Sequence, residues 1–178
     1  MRRTIALASF GLIAAASLSA QAPVRLAGAR GDFMASFSQL ERKFNALATA
    51  FPADKYDYAP GKGVRSVCEV LVHVAAENYE MGKAFGAAAA PENLTDGEHA
   101  KCYADKPTVV AAVKQSFIVI KTGVTNTKDA DIDLPFTLFG LAQPRRAWLL
   151  STAEHAGEHL GQLIAYARVN SIVPPWSK

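Results

Sequence analysis

The chain has 178 residues, which is the size of one domain rather than two, and half of its residues are hydrophobic. Charged residues make up 20% of the sequence and the formal net charge is +3. This composition excludes a disordered chain and allows a sizeable buried core. No basic stripe interleaved with aromatic residues is present, so we expect no nucleic-acid partner.

The first twenty residues have the order of a secretory signal peptide. A basic start at Arg2 and Arg3 is followed by an apolar run over residues 5–16 and small residues over 17–20. The run is too short to remain as a membrane span, so we expect no stable membrane insertion after cleavage. An N-terminal anchor or a frayed first helix is the alternative. We therefore predict an exported protein, periplasmic or secreted, whose net charge without these two arginines is +1.

The sequence also predicts how the remaining residues are organised. Residues 1–20 are assigned to the signal peptide, 21–30 to a flexible N-terminal segment, and 31–176 to one folded domain. The two cysteines, Cys68 and Cys102, suit a disulfide in an oxidising compartment. Two unpaired thiols are the alternative, because spacing along the chain does not show whether their Cα atoms approach to about 6 Å.

Four long segments have helical periodicity and none alternates as a strand should, so the predicted fold is all-α, a four-helix bundle. The first helix is expected from about Gly31 to Phe51, where Pro52 stops it. Ser66 and Glu69 form a capping-box pattern that starts the second helix, which we expect to run to about Ala88. One face of the first helix has an apolar stripe at spacings of three and four residues: Phe33, Phe37, Leu40, Phe44, Leu47 and Phe51.

The second half of the chain predicts two more helices. Asp105 suits the N-cap of the third, with Pro107 in its first turn. A charged turn over residues 128–133 and an apolar loop over residues 134–140 follow. The fourth helix is expected from near Pro144 to about Asn170. One of its faces presents Trp148, Thr152, His155, His159, Gln162 and Tyr166.

Three of the four histidines have the spacing of a metal site. His155 and His159 are four residues apart and leave the same face of the fourth helix, so both rings can reach one ion. His73 on the second helix would complete three neutral nitrogen ligands, which leave coordination positions open for water or substrate. The alternative is that each is a core histidine bonded to the backbone. Glu77, one turn beyond His73, is the candidate base, and pairing with a neighbouring helix is the alternative role.

Two stretches of the sequence resemble a known family. The stretch from His155 to Pro175 closely resembles the C-terminal helix of the DinB family of damage-inducible, metal-binding bundles. The stretch from Val64 to His73 is similar to the family's second helix, and the resemblance extends over about Asp32 to Pro175. It implies a four-helix bundle with up-down-down-up topology. It also implies a divalent metal, often zinc or nickel, bound by one histidine of the second helix and two of the fourth.

The resemblance leaves several functions open. Some members resemble metal-dependent hydrolases, and others are thiol S-transferases that use bacillithiol, mycothiol or glutathione. This chain departs from those cytoplasmic transferases by its leader, and low-molecular-weight thiols are scarce outside the cytoplasm. Our first hypothesis is therefore hydrolysis of a small-molecule substrate with zinc, nickel or iron. The alternative is a non-catalytic metal- or ligand-binding bundle, and a homodimer is left open.

Overall fold

The structure is a computed structural model that describes residues 26–94 and 101–177. The predicted signal peptide, residues 21–25 of the predicted flexible segment and residues 95–100 of the long polar connection lie outside these described residues. The described part contains four long helices and one short hairpin. The helices are α1 (Gly28–Ala50), α2 (Val67–Gly82), α3 (Lys106–Asn126) and α4 (Arg145–Val169), and the strands are β1 (Pro135–Leu138) and β2 (Leu141–Pro144).

The predicted caps start α2 and α3. The Ser66 side chain accepts a hydrogen bond from the Glu69 backbone N–H, and the Glu69 carboxylate accepts one from the Ser66 N–H, which completes the capping box. The Asp105 carboxylate accepts from the Thr108 N–H at the start of α3. These bonds satisfy amide groups that have no partner inside the helix and so fix where each helix begins.

α2 and α3 run in the same direction, side by side. A disulfide joins Cys68, near the start of α2, to Cys102, just before α3, with 5.4 Å between their Cα atoms. Further along, the Asn78 amide donates to the Ser116 hydroxyl across the same pair of helices, at 3.0 Å. The disulfide, which the sequence left as one of two alternatives, is therefore present. It attaches the last part of the connection between α2 and α3 to the first turn of α2.

The other two helices run against this pair. At the end of α1, the Lys106 ammonium donates to the carbonyl oxygens of Thr49 and Phe51, so α1 ends where α3 begins. At the start of α4, the Arg145 guanidinium donates to the Ala84 carbonyl beyond the end of α2. α1 and α4 thus point one way and α2 and α3 the other, which confirms the expected up-down-down-up bundle.

The aromatic stripe of α1 forms much of the core. Phe37 and Phe44 are fully buried, and their rings lie 5.0 and 5.5 Å from the ring of Phe117 on α3. Because α1 presents these rings at helical spacing, it buries one face along its whole length against its neighbours. α3 is the single helix among the described residues that is long and apolar enough to cross a membrane, and its apolar side packs into this core.

The first helix begins earlier than the sequence predicted. α1 starts at Gly28 rather than near Gly31, so the last three residues of the segment assigned as flexible are helical. The reason is Arg30, which is buried and donates to the Asp129 carboxylate at 2.6 and 3.0 Å. The same guanidinium donates to carbonyl oxygens in the last turn of α3, where a cation is stabilised by the helix dipole.

The second helix ends earlier than predicted. α2 stops at Gly82 and a short 3₁₀ turn follows over Lys83–Phe85, where the sequence predicted helix to about Ala88. Gly86 then takes a left-handed conformation with φ of 64°, which glycine adopts without steric cost. A left-handed glycine just after a helix is a common stop signal, so the boundary is set by this residue.

The apolar segment before α4 is a hairpin, so the predicted loop over residues 134–140 is wrong. β1 and β2 pair antiparallel in a two-stranded sheet. Phe139 and Gly140 have φ of 51° and 75°, the left-handed pair that a tight two-residue turn requires. The indole N–H of Trp148 donates to the Phe136 carbonyl at 2.9 Å, which attaches the hairpin to the first turn of α4.

Candidate metal centre

The three predicted histidines converge inside the bundle. α2 carries His73, which is buried, and α4 carries His155 and His159, which are half-buried and one turn apart. The ring centroids lie 5.0 Å apart for His73 and His155, and 4.7 Å apart for the other two pairs. One candidate ligand atom from each ring lies within 4.8 Å of the other two. Because α2 and α4 are antiparallel neighbours, the three rings form a compact cluster of nitrogen donors.

The spacing between two of these nitrogens fits a shared ion. The Nε2 atoms of His73 and His155 are 3.0 Å apart. Two nitrogens that each bind one ion at about 2.1 Å lie about 3 Å apart when the angle at the ion is about 90°. The same separation allows an N–H···N hydrogen bond in the ion-free protein. The residues present therefore fit a divalent metal ion, and three imidazoles are a donor set that zinc, nickel and iron all accept.

Burial favours the neutral form of the two α4 histidines. Desolvation lowers the pKa of His155 to about 3, with smaller contributions from the neighbouring His159 and His73 rings and from the positive charge of Arg65. Desolvation also lowers the pKa of His159, while its hydrogen bond to Gln162 acts in the opposite direction. A neutral imidazole is the form that binds metals, so at neutral pH these rings need not lose a proton before they accept an ion.

A chain of hydrogen bonds extends from His159 away from the cluster. Its Nδ1 lies 2.8 Å from the Gln162 Oε1, and the Gln162 amide donates to the Tyr166 hydroxyl at 2.7 Å. That hydroxyl donates to the backbone carbonyl of Arg65 at 3.0 Å. Tyr58 packs its ring edge-to-face against Tyr166, with 5.7 Å between centroids. The sequence predicted Gln162 and Tyr166 on the histidine face but did not reveal this connection.

Glu77, the predicted base, does not belong to the group of converging histidines. It is half-buried on α2, one turn beyond His73 along the helix. It is not a member of the cluster of converging ligand atoms, which contains the three histidines alone. Its role as a base therefore stays a prediction.

Sequence reasoning missed Arg65. This residue directly precedes the Ser66 N-cap of α2, and its positive charge lowers the pKa of both His155 and His159. Its backbone carbonyl also ends the hydrogen-bond chain from His159. The signal in the sequence was its place in the stretch from Val64 to His73 that resembles the family's second helix, directly before the Ser66 N-cap.

The fold and this histidine cluster define a class of protein. The sequence profile of the DinB superfamily matches residues 36–163, which is most of the chain. The chain therefore belongs to the DinB superfamily, as its histidine-bearing stretches indicated. No protein of curated function matches the sequence.

Solved structures of similar fold include DinB-like proteins from several bacteria. One from Bacillus cereus ATCC 10987 is 14% identical, covers 80% of this chain and 93% of its own, and has a TM-score of 0.69. One from Bacillus subtilis is 18% identical, with coverages of 83% and 98% and a TM-score of 0.63. A member from Exiguobacterium sibiricum is 21% identical, with coverages of 82% and 94% and a TM-score of 0.61. At these identities the likeness is one of fold.

The depressed pKa of His155 predicts how the metal-free protein responds to acid. In the unfolded chain this histidine takes up a proton near pH 6.5, but in the folded chain only near pH 3. Between these values the unfolded state binds more protons, so folding stability falls as the pH is lowered from about 6.5 towards 3. We expect chelator-treated protein to melt at a lower temperature at about pH 5 than at about pH 7.5.

A single substitution separates this effect from that of the carboxylates, which also titrate in acid. In His155→Gln the side chain does not titrate, so the difference in melting temperature between the two pH values should shrink. An equal difference in both proteins would show that His155 does not contribute to the acid sensitivity.

Proposed function

We propose that the protein binds one divalent metal ion through His73, His155 and His159. The observation that carries this proposal is the convergence of three imidazoles whose candidate ligand atoms lie within 4.8 Å of one another. Three neutral ligands leave the ion its full charge and leave coordination positions open, which is typical of reactive rather than structural sites. Zinc, nickel and iron are the proposed ions, because imidazole suits all three.

We further propose that the bound ion serves hydrolysis of a small-molecule substrate. A divalent ion held by three imidazoles supplies Lewis acidity, which polarises a substrate group and activates water near neutral pH. The chain's own part is to hold the three rings in place, and burial favours the neutral form of His155 and His159. Glu77, one turn beyond His73 along α2, is the proposed base.

A non-catalytic metal- or ligand-binding bundle is the second candidate. One observation favours it: among the described residues, the cluster of converging ligand atoms consists of the three histidines and includes no carboxylate. A thiol S-transferase is a weaker candidate, because that reaction needs a low-molecular-weight thiol and this chain has the pattern of an exported protein.

Export to the periplasm or beyond is also part of the proposal. Support comes from the N-terminal pattern over residues 1–20 and from the disulfide between Cys68 and Cys102. Disulfides form and persist mainly in oxidising compartments. Fractionation of cells that express the full chain, with sequencing of the mature N-terminus, tests this. An unprocessed chain in the cytoplasmic fraction would contradict export.

The metal proposal is tested on protein purified without a nickel column. Elemental analysis should find about one divalent ion per chain, and chelator-treated protein should bind a first-row divalent ion with a dissociation constant below about 1 µM. Weaker binding of every such ion would refute the proposed site. A panel of small esters, amides and phosphate esters then tests hydrolysis in the loaded protein.

The variant Glu77→Gln, which keeps the shape of the side chain, should bind metal normally and lose hydrolytic activity by about 100-fold or more. Loaded protein that hydrolyses none of the panel would favour the non-catalytic candidate over the hydrolase.

A further inference from the structure

A chain of hydrogen bonds runs from His159 through Gln162 and Tyr166 to the backbone carbonyl of Arg65. This carbonyl determines which group donates in each bond. The Arg65 carbonyl oxygen can only accept, so the Tyr166 hydroxyl, 3.0 Å away, must use its single proton to donate to it. The hydroxyl is then left as an acceptor for its other neighbour. The group of Gln162 that faces it, at 2.7 Å, must therefore be the amide NH₂.

This orientation of Gln162 determines the proton position on His159. With its NH₂ towards Tyr166, the amide presents Oε1 to the histidine Nδ1 at 2.8 Å. An amide oxygen can only accept, so the Nδ1 must carry the proton. A neutral imidazole has one N–H and one lone pair, which leaves the lone pair on Nε2. The flip state of the amide, which electron density rarely distinguishes, follows here from the fixed carbonyl.

The surroundings hold this chain of bonds in place. Tyr166 is buried, with 5% of its surface exposed, and its ring packs against Tyr58 from the connection between α1 and α2. The bonds also cross from α4 to the residue just before α2, the helix that carries His73. The contacts that set the proton on His159 therefore also link α4 to the segment that leads into α2.

We infer that Gln162 and Tyr166 are positioning residues that hold His159 in the Nδ1–H tautomer, so that its Nε2 lone pair is available to a metal ion. This inference rests on the proposed metal-binding function for its purpose, but the tautomer itself is a property of the metal-free protein. Partners of this kind orient a ligating histidine and raise its basicity, and their loss typically reduces metal affinity by about 10- to 100-fold.

Three variants test the inference through metal affinity, measured by competition with a chromophoric chelator. Gln162→Leu removes the acceptor of Nδ1–H and should weaken zinc binding by about 10- to 100-fold. Gln162→Glu keeps an acceptor and should retain the wild-type affinity or exceed it, because a carboxylate accepts more strongly. Tyr166→Phe keeps the ring and its contact with Tyr58 but frees the amide to flip, so its loss should be smaller than that of Gln162→Leu.

Nitrogen-15 spectra of the histidine rings in chelator-treated protein provide the direct readout. Wild-type His159 should show the Nδ1–H tautomer, and Gln162→Leu should shift the population towards Nε2–H, which an unrestrained histidine in water prefers. A merely structural role for Gln162 would leave the tautomer unchanged. A wild-type His159 in the Nε2–H form would overturn the inference, whether or not the protein binds metal.

Matched controls exist elsewhere in the fold. Gln115→Leu makes the same change on the exposed face of α3, and Tyr56→Phe removes another buried hydroxyl that donates to a backbone carbonyl, that of Ala48. Both should keep wild-type zinc affinity and the wild-type His159 tautomer. If the control variants lost as much zinc affinity as the Gln162 and Tyr166 variants, a specific role for the hydrogen bonds from His159 to Arg65 would be refuted. Failure of all proteins, wild type included, to bind zinc, nickel or iron would reject the proposed function, while the spectra would still decide the tautomer.

Discussion

Replacement of His155 by alanine is expected to weaken divalent metal binding by more than about 100-fold, because loss of a direct ligand should exceed the loss caused by removing an outer partner. The substitution leaves two imidazoles, one on each helix, and ends the 3.0 Å approach between the His155 and His73 nitrogens. Titration of zinc into chelator-treated protein measures the effect. Thermal unfolding gives a second readout, because an ion at about 100 times its dissociation constant adds about 2.7 kcal/mol of stability.

This stabilisation should raise the melting temperature of the wild type by roughly 5 to 11 °C, and that of His155→Ala very little. The chain offers a matched control in its fourth histidine, His99, which is outside the predicted ligand set and outside the described residues. His99→Ala should bind zinc as tightly as the wild type. Unchanged affinity in His155→Ala, or an equal loss in His99→Ala, would contradict the proposed ligands.

Removal of the disulfide is expected to lower the free energy of unfolding by about 3–4 kcal/mol. Cys68 and Cys102 are 34 residues apart, and a cross-link that closes a loop of this length restricts the unfolded chain substantially. The bond also joins the connection that precedes α3 to the start of α2. Urea unfolding of the double variant, with both cysteines replaced by alanine, measures the change against the oxidised wild type.

The two cysteines differ in burial, and this difference provides the control. Cys68 is fully buried, so its replacement adds a small cavity, whereas Cys102 is exposed and its replacement does not. Cys102→Ala alone should therefore cost nearly as much as the double variant, and added reductant should change neither protein. A cost below about 1 kcal/mol for Cys102→Ala would show that the cross-link contributes little to stability.

Much of the bundle could be predicted because its signals are local. The apolar stripe of α1 repeats every three or four residues, and the Ser66–Glu69 and Asp105 caps mark the starts of α2 and α3. The pairing of His155 with His159 also follows from helix geometry alone, since residues four apart share a face. His73 was a candidate third ligand from its place on the second helix, and the resemblance implied the same ligand set and the direction of each helix.

The features that sequence reasoning missed depend on contacts between distant residues. The hairpin turn uses Phe139 and Gly140 in place of a common Asn-Gly pair, and its apolar strands do not alternate, so neither local signal was present. The early start of α1 depends on Arg30 meeting Asp129, 99 residues later. The bond from Tyr166 ends on a backbone carbonyl, a group that every residue has, so no pattern of side chains could indicate it.

The histidine cluster is assembled from two distant parts of the sequence, since 82 residues separate His73 from His155. A fragment, or a copy in which α4 has not yet docked, keeps at most the pair one turn apart on a single helix. Two imidazoles on an exposed helix hold a divalent ion weakly, and a preformed site does not exist before folding. At the proposed site, high affinity would therefore arise only in the finished tertiary structure, so immature copies would not compete with mature ones for scarce ions.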